Sequence, residues 1–497
     1  MILRLDWLRP LQYAHRWMGI VGGLLMLMWF GSGIVMIYHR MPEVSAAERF
    51  DRLTTIDASA IRVAPAAAAL VADAVGRGFL LTMVRGRPVY RFGTRTVYAD
   101  TGEPLELLSR DQAVATADDF EPGHAATLSY DARLTEPDQW TLQSSAFLPL
   151  HRIALGDPDD TRVYVSDVTG EVVMRTTRSG RAWGYAGAVL HWLYFTPFRV
   201  HSTLWAQTII WLSVAGCILT LSGLLWGLLR FSPGRNHRLR TGGSMSPHVG
   251  LLRWHHYAGL VFGLFSFTWM LSGGLSMDPW SWHPGTAPTA EQRLAFSLGP
   301  VSLEGISAEQ VRGGIAALSA PGALREIEVV QFRGQPYLAG YEIRSEAPRL
   351  VPAREPGSGV VDAVPAADLV DAASEAMPGV GIREMVTLDA YDAYYYERNG
   401  SAPLPVMRVA YADSRQTTLY VDPRRGVILR KEERLTRLNR WLYHGLHSLD
   451  FPLLYERRPL WDVLMIVLSL GGLALAATTL WPGWQRLARH ARRITGR

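Results

Sequence analysis

Four stretches of this chain are long and apolar enough to cross a bilayer: Trp17–Tyr38, Leu204–Leu229, Tyr257–Met277 and Trp461–Trp481. About 20 helical residues span the hydrocarbon core. Backbone in lipid must satisfy its own hydrogen bonds, so each stretch reads as a helix. Beyond their first turn the windows hold no Asp, Glu, Lys or Arg. Hydrophobic residues make up 48% of the 497, high for a soluble chain and low for a protein made mostly of spans. A few spans carrying large polar domains give that balance, and the length exceeds one ordinary domain.

Charge sets the orientation. Segment 230–254 carries five Arg and no acid, and the tail 483–497 carries five more and no acid. By the positive-inside rule both face the cytoplasm, as does the short N-terminus with Arg4, Arg9 and Arg16. The formal net charge of +5 is then a topology signal and no sign of nucleic-acid binding. The first span reads as an uncleaved anchor: its apolar stretch is longer than a signal-peptide core, although "VSA" ending at Ala46 resembles a cleavage site. The single cysteine, Cys217, lies mid-span, so the outer segments have no disulfides and any metal chemistry there needs other ligands.

The chain reads as two copies of one unit. At an offset of 240, His15 aligns with His255, Gly19 with Gly259, Gly23 with Gly263, Trp29 with Trp269, and Ser32-Gly33 with Ser272-Gly273. At an offset of 256, Arg152 aligns with Arg408, Asp157 with Asp413, Tyr164 with Tyr420, His191 with His447, Phe195 with Phe451 and Trp205 with Trp461. Each copy runs span, outer domain, span, and both start inside, so the repeats are parallel about an axis along the membrane normal. The expected layout is an N-terminal segment and span at 1–38, an outer domain at 39–203, a span at 204–229 and a cytoplasmic loop at 230–254. A span at 255–277, a second outer domain at 278–460, and a last span with a basic tail at 461–497 complete it.

The outer domains read as α+β. "SAEQVRGGIAAL" (307–318) has helical apolar spacing, with Ser307 and Gln310 as a capping pair. "REIEVVQFRGQPYLAGYEI" alternates as two strands around Arg333-Gly334, and "RGRPVY" at 85–90 repeats that turn. "RVYVSDVTGEVVMR" and "TLYVDPRRGVILRK" are further hairpins that turn at Thr169-Gly170 and Arg425-Gly426. Pro/Gly-rich linkers are expected at 284–300 and 347–360.

The "HRWMG…GSG" opening of a span, the "YVDPRRG" hairpin and "LHSLDFP" before the last span together resemble the PepSY-associated transmembrane family. The resemblance implies a membrane α+β protein: a four-helix transmembrane bundle from two parallel repeats, carrying two PepSY-like periplasmic domains. It also implies a bacterial inner-membrane location and, by similarity to the family's ferric-siderophore reductases, a di-haem protein.

Topology sorts the 14 histidines. His15, His255 and His256 lie at the inner ends of spans; His237, His248 and His490 lie in basic inside segments, where headgroup contact explains them. His39, His191, His201, His283, His444 and His447 lie near the outer boundary, and His124 and His151 in the first outer domain. His39, His201 and His283 have no aligned partner and read as interfacial. The aligned pairs differ, because a two-fold axis sets equivalent residues at equal depth. His15 then faces His255 and His191 faces His447, as the two axial ligands of a haem require, and facing helices of a bundle supply that geometry. Two haem b groups are expected. Only one of the neighbours His255 and His256 can point inward, and the alignment favours His255. His444, one turn before His447, is either the ligand in its place or its neighbour. A zinc site at "HGLH" would need a third ligand; Asp450 is available, but Tyr194 stands at the aligned position.

Two haems near opposite faces imply electron transfer from a cytoplasmic donor, a flavin or flavoprotein reductase, to a periplasmic acceptor. Ferric siderophore fits, since ferrous iron leaves hard oxygen ligands readily. The competing classes are a membrane-anchored regulatory or peptidase-inhibiting module without a redox cofactor, and a small transporter. An anchor needs no matched histidines at two depths, and a transporter usually breaks its helices mid-membrane. The tyrosine-rich "LDAYDAYYYERNG" (388–400), with Asp389, Asp392, Glu397 and Arg398, reads as packed strand or as an aromatic docking cleft; His151 is a weaker candidate for that region.

Overall fold

The computed structural model describes residues 8–239, 242–318, 323–342, 348–397 and 402–494; Arg4 and Arg398 lie outside them. The chain divides into two compact units, one from 8–41, 182–283 and 438–494, the other from 42–181 and 284–437.

The first unit holds four helices long and apolar enough to cross a membrane: Leu8–Met36, Ser202–Arg230, Leu251–Leu275 and Leu460–Ile494, here spans 1 to 4. They outrun the apolar windows. Span 1 begins well before Trp17, so His15 sits within it, and span 4 runs on through Pro482 into the basic tail. One acid falls within a window: Asp462, in the first turn of span 4, is bound by Arg458 Nε at 3.0 Å. Large apolar side chains lie bare on all four helices, with Val21 81% exposed, Trp211 65% and Val261 62%, and Leu470 at 52%. An apolar surface of that extent suits lipid rather than water. Inside, Met26, Trp29, Phe30, Leu219, Trp269, Met270 and Leu468 form the core. Small residues let the helices close on it: a Cβ on Gly472 would lie 2.5 Å from the Phe30 ring, and one on Gly216 2.8 Å from Met270 Sδ.

The second unit is mixed α+β and its sheets are antiparallel. Its strands, numbered along the chain, are β1 Leu80–Val84, β2 Arg87–Phe92, β3 Arg95–Tyr98, β4 Ser129–Leu134, β5 Leu150–Ala154, β6 Arg162–Ser166 and β7 Val172–Thr176. After the intervening spans come β8 Glu326–Phe332, β9 Gln335–Tyr341, β10 Arg349–Pro352, β11 Ile382–Leu388, β12 Val406–Tyr411, β13 Thr418–Asp422 and β14 Val427–Glu432. Strands β4–β7 form one sheet and β11–β14 another, each in chain order. The anticipated turns are present: Val84 pairs with Arg87 across Arg85-Gly86, and Phe332 with Gln335 across Arg333-Gly334, all four turn residues at positive φ. Helix Ala308–Leu318 carries its cap, Gln310 N–H donating to Ser307 Oγ at 3.2 Å and Ser307 N–H to Gln310 Oε1 at 2.6 Å.

The two inter-span segments do not fold apart. A six-stranded sheet runs β10-β9-β8-β1-β2-β3, joined at its middle where Leu80 pairs with Glu328 and Leu81 with Ile327. Its core draws Leu81, Tyr90 and Ile61 from the first segment and Ile327, Leu338 and Val351 from the second, all fully buried. Two expected domains are thus one compact unit with a common hydrophobic core.

Candidate functional site: two facing histidine pairs

Within the membrane unit the rings of His15 and His255 face each other with centroids 6.1 Å apart, and those of His191 and His447 likewise at 6.1 Å. Two metal–nitrogen bonds of about 2 Å, plus roughly 1.1 Å from each ring centre to its nitrogen, require about 6 Å.

His15 is held within span 1, where its Nδ1–H donates to the Leu219 carbonyl of span 2 at 3.0 Å. His255 in span 3 donates to the Leu475 carbonyl of span 4 at 3.1 Å, with Thr478 Oγ1 at 3.3 Å. Close approach is possible because Gly223 has no side chain: a Cβ there would sit 2.3 Å from His15 Cε1.

The second pair is mounted differently. His191 lies in the short helix Leu190–Trp192 that follows a π-helical segment, Tyr185–Val189; His447 lies in Leu446–Ser448 after the π segment Arg440–Gly445. Each short helix ends at a left-handed residue, Leu193 (φ 50°) and Leu449 (φ 47°). Each is pinned to the next span by an indole, Trp205 Nε1–H donating to Trp192 O at 3.0 Å and Trp461 Nε1–H to Ser448 O at 2.8 Å. His191 Nδ1–H reaches Trp29 O and Ser32 Oγ, both at 3.2 Å, and Ser32 spends its own proton on Met28 O. His447 Nδ1 lies 3.0 Å from Ser272 Oγ, whose proton goes to Trp269 O. Gly33 and Gly273 border the two rings. The π segment is an inserted residue in a helix, a rare feature that gathers at functional sites.

In all four histidines the proton is on Nδ1, so Nε2 carries the lone pair and is the nitrogen left to bind metal; a second-shell acceptor fixing the tautomer is the usual arrangement for a ligand imidazole. Among the described residues no three His, Cys, Asp or Glu side chains converge on a metal-sized site. A pair of facing imidazoles by itself suits a metal that brings most of its own ligands, as haem iron does.

The neighbours separate cleanly. His256 has both ring nitrogens engaged, Nδ1 with Ser246 Oγ and Nε2 with Gly227 O, each at 2.8 Å. It ties the loop after span 2 to the helices and meets the His248 ring edge to face at 5.7 Å, but neither of its nitrogens is left for a ligand. His444 is exposed and packs on Tyr443, while His447 meets His191. His39 stacks on Trp183 at 4.8 Å, His283 lies 3.5 Å from Asp278, and His237 is bonded to Arg230 O. In the other unit, buried His151 bridges Tyr130 OH at 2.9 Å and Asp167 Oδ1 at 2.6 Å. The described part of the tyrosine segment, 388–397, is packed but is not strand beyond Leu388: Tyr391 and Tyr395 donate to the Ala402 and Pro403 carbonyls, and Tyr395 stacks on Tyr420.

The chain belongs to the PepSY-associated TM region family. The family model matches residues 12–292, more than half the chain and including His15, His191 and His255. No curated protein matches the sequence.

His15 and His255 also line a cavity of about 640 Å³, well inside the 300–1,000 Å³ range of small-molecule and cofactor sites. Its walls include Gly19, Gly23, Gly259 and Gly263, where any side chain would take up the space. A cavity of this volume, lined by glycines and apolar side chains around two imidazoles, has room for an apolar group carrying a metal. At the other pair, Trp269 holds a buried indole N–H with no acceptor among the described residues. Periodicity gave no sign of the π segments or of this cavity. The serines on Nδ1 did leave a trace, since Ser32-Gly33 and Ser272-Gly273 align at the same offset as His15 and His255.

Proposed function

We propose that this protein is a haem-containing reductase of the bacterial inner membrane, carrying electrons from a cytoplasmic flavin or flavoprotein to a periplasmic ferric siderophore. The observation that carries the reading is the doubled geometry: two imidazole pairs, each 6.1 Å apart, each with Nδ1 bound and Nε2 left as a lone pair. His15 and His255 would hold one haem b, His191 and His447 the other. Bound haem iron supplies reversible one-electron chemistry.

The protein's own residues do the positioning. His15 and Gly33, which borders His191, are 18 positions apart on span 1, as are His255 and Gly273 on span 3. At about 1.5 Å per residue this separates the two pairs by about 27 Å, close to the thickness of a hydrocarbon core. Phe30 and Trp269, 5.7 Å apart, fill the interval with aromatic side chains and exclude water. Arginines at 230–254 and in the tail favour an orientation with both termini and the His15/His255 end in the cytoplasm and the α+β unit in the periplasm. The matched offsets and the like order of β4–β7 and β11–β14 support two parallel span–domain–span repeats.

The test is the purified full-length protein from haem-replete cells. Two haems per chain are expected, with a Soret band and sharp visible bands after dithionite, and reoxidation on adding ferric siderophore. His15→Ala or His255→Ala should remove one haem, and His191→Ala or His447→Ala the other. A colourless preparation, or four variants that all keep two haems, would refute the proposal.

A further inference from the structure

The cavity that contains His15 and His255 continues past them. Its wall also includes Arg16, the residue after His15, and Arg486 and Arg489, one turn apart on the extension of span 4. Among the described residues none that lines it is Asp or Glu. Among the described residues none of these three arginines makes an ion pair. Arg16 lies over the Tyr13 ring at 5.4 Å, and Arg489 Nε–H donates to the Gln485 carbonyl at 3.2 Å. The Trp17–His490 ring contact, 5.9 Å, joins span 1 to this part of span 4, so the basic groups sit on packed helices and not on a loose tail.

Three guanidinium groups lining one cavity repel one another, and partial burial weakens the hydration of Arg16 and Arg486, while Arg489 stands exposed at the cavity's edge. An anion among them offsets both costs. Guanidinium forks also suit carboxylates, which they bind with two parallel hydrogen bonds. Deeper in the same cavity the lining turns apolar, with Met26, Phe30 and Leu475. The cavity therefore asks for a ligand with three parts in order: an anionic edge at the arginines, a metal between the imidazoles, and an apolar edge toward Phe30.

We propose that Arg16, Arg486 and Arg489 form a carboxylate subsite that receives the propionates of the tetrapyrrole held by His15 and His255, which rests on the haem reading above. The subsite fixes the orientation of the group in the bundle, propionates toward the arginine-rich end and vinyl edge toward the core. A lipid headgroup phosphate is the other anion that could meet these arginines, and the experiment separates the two.

The His447→Ala variant isolates the cavity site. The full chain, made in haem-deficient cells and placed in phosphatidylcholine nanodiscs, is titrated with haem and with haem dimethyl ester, following the Soret band. Haem should bind at least tenfold more tightly than its ester. Arg486→Gln with Arg489→Gln should abolish that preference by weakening haem alone, leaving ester affinity unchanged. Equal binding of haem and ester before the arginine substitutions, or a preference that survives them, overturns the carboxylate subsite while the histidine assignment stands. Equal binding of haem and ester together with arginine-dependent retention of phosphatidylglycerol on the purified protein assigns the arginines to lipid phosphate and overturns it too. Failure of both compounds to bind is a failure of the haem reading itself.

Discussion

The two ends of the helical bundle solve one geometric problem in different ways. His15 and His255 stand on long, continuous spans, and their rings are tilted by 38°. His191 and His447 stand on three-residue helices, each between a π segment and a left-handed leucine, and their rings are near perpendicular at 70°. Both pairs arrive at the same 6.1 Å. At the first end, position depends on glycines that leave room; at the second, on a local backbone irregularity and an indole hydrogen bond. An error in packing should therefore damage the first pair, and an error in register the second.

That contrast can be broken at several points. The largest effect is expected from Gly223→Leu, since even a Cβ there would lie 2.3 Å from His15. The ring must leave its place, and haem per chain should fall from two to one with the spectrum of the His191/His447 site retained. A comparable loss at the opposite end should follow deletion of Ala186. Removing one residue from Tyr185–Val189 returns the segment to regular α-helix and turns His191 by about 100°. Quantitative haem extraction from each variant tells whether the two ends fail independently; joint loss in both would contradict the contrast. Trp461→Phe removes one hydrogen bond of roughly 1 kcal/mol from the Ser448 carbonyl. It should loosen the His447 site about fivefold in a haem-transfer assay to apomyoglobin and leave the His15 site unchanged. Ser272→Ala should have the smallest effect, at most a few-fold in the same assay, because it removes the acceptor of His447 Nδ1–H without changing the backbone.

A different kind of substitution calibrates these against general destabilisation. Asp167→Asn, in the other unit, disturbs a buried carboxylate that binds His151, Arg133 Nε and Leu108 N–H. Leaving buried hydrogen-bond partners imperfectly satisfied costs about 1–3 kcal/mol. The thermal midpoint of the α+β unit should drop by a few degrees while haem content stays at two.

Much of the histidine geometry was legible in the chain itself. The constant offset paired His15 with His255 and His191 with His447 without any contact information, because related residues of a duplicated segment keep their depth. The same alignment set His255 rather than His256 opposite His15, and the structure has that facing pair, with His256 held instead through both nitrogens by Ser246 and Gly227. Hairpins with an Arg-Gly or Thr-Gly turn were equally readable, because positive φ at glycine is a local requirement. The π segments were not readable: apolar spacing in a short amphipathic stretch does not register one extra residue. Nor was the cavity, which depends on where four helices cross. The pairing of β1 with β8 was the deepest omission. Its partners, Leu81 and Ile327, come from segments separated by two spans, and an antiparallel edge carries no mark of which strand will cover it.

That seam has a consequence for how the protein is made. When β1 leaves the ribosome its outer edge has no partner, and β8 begins 246 positions later, after spans 2 and 3 have entered the membrane. At roughly 5–20 residues per second, the edge stays uncovered for roughly 12–50 s. An unpaired strand edge is the surface on which chains aggregate. The first half of this chain must be shielded during biosynthesis until the second half closes it, and a nascent chain stalled before Glu326 should be a substrate for holdases and proteases.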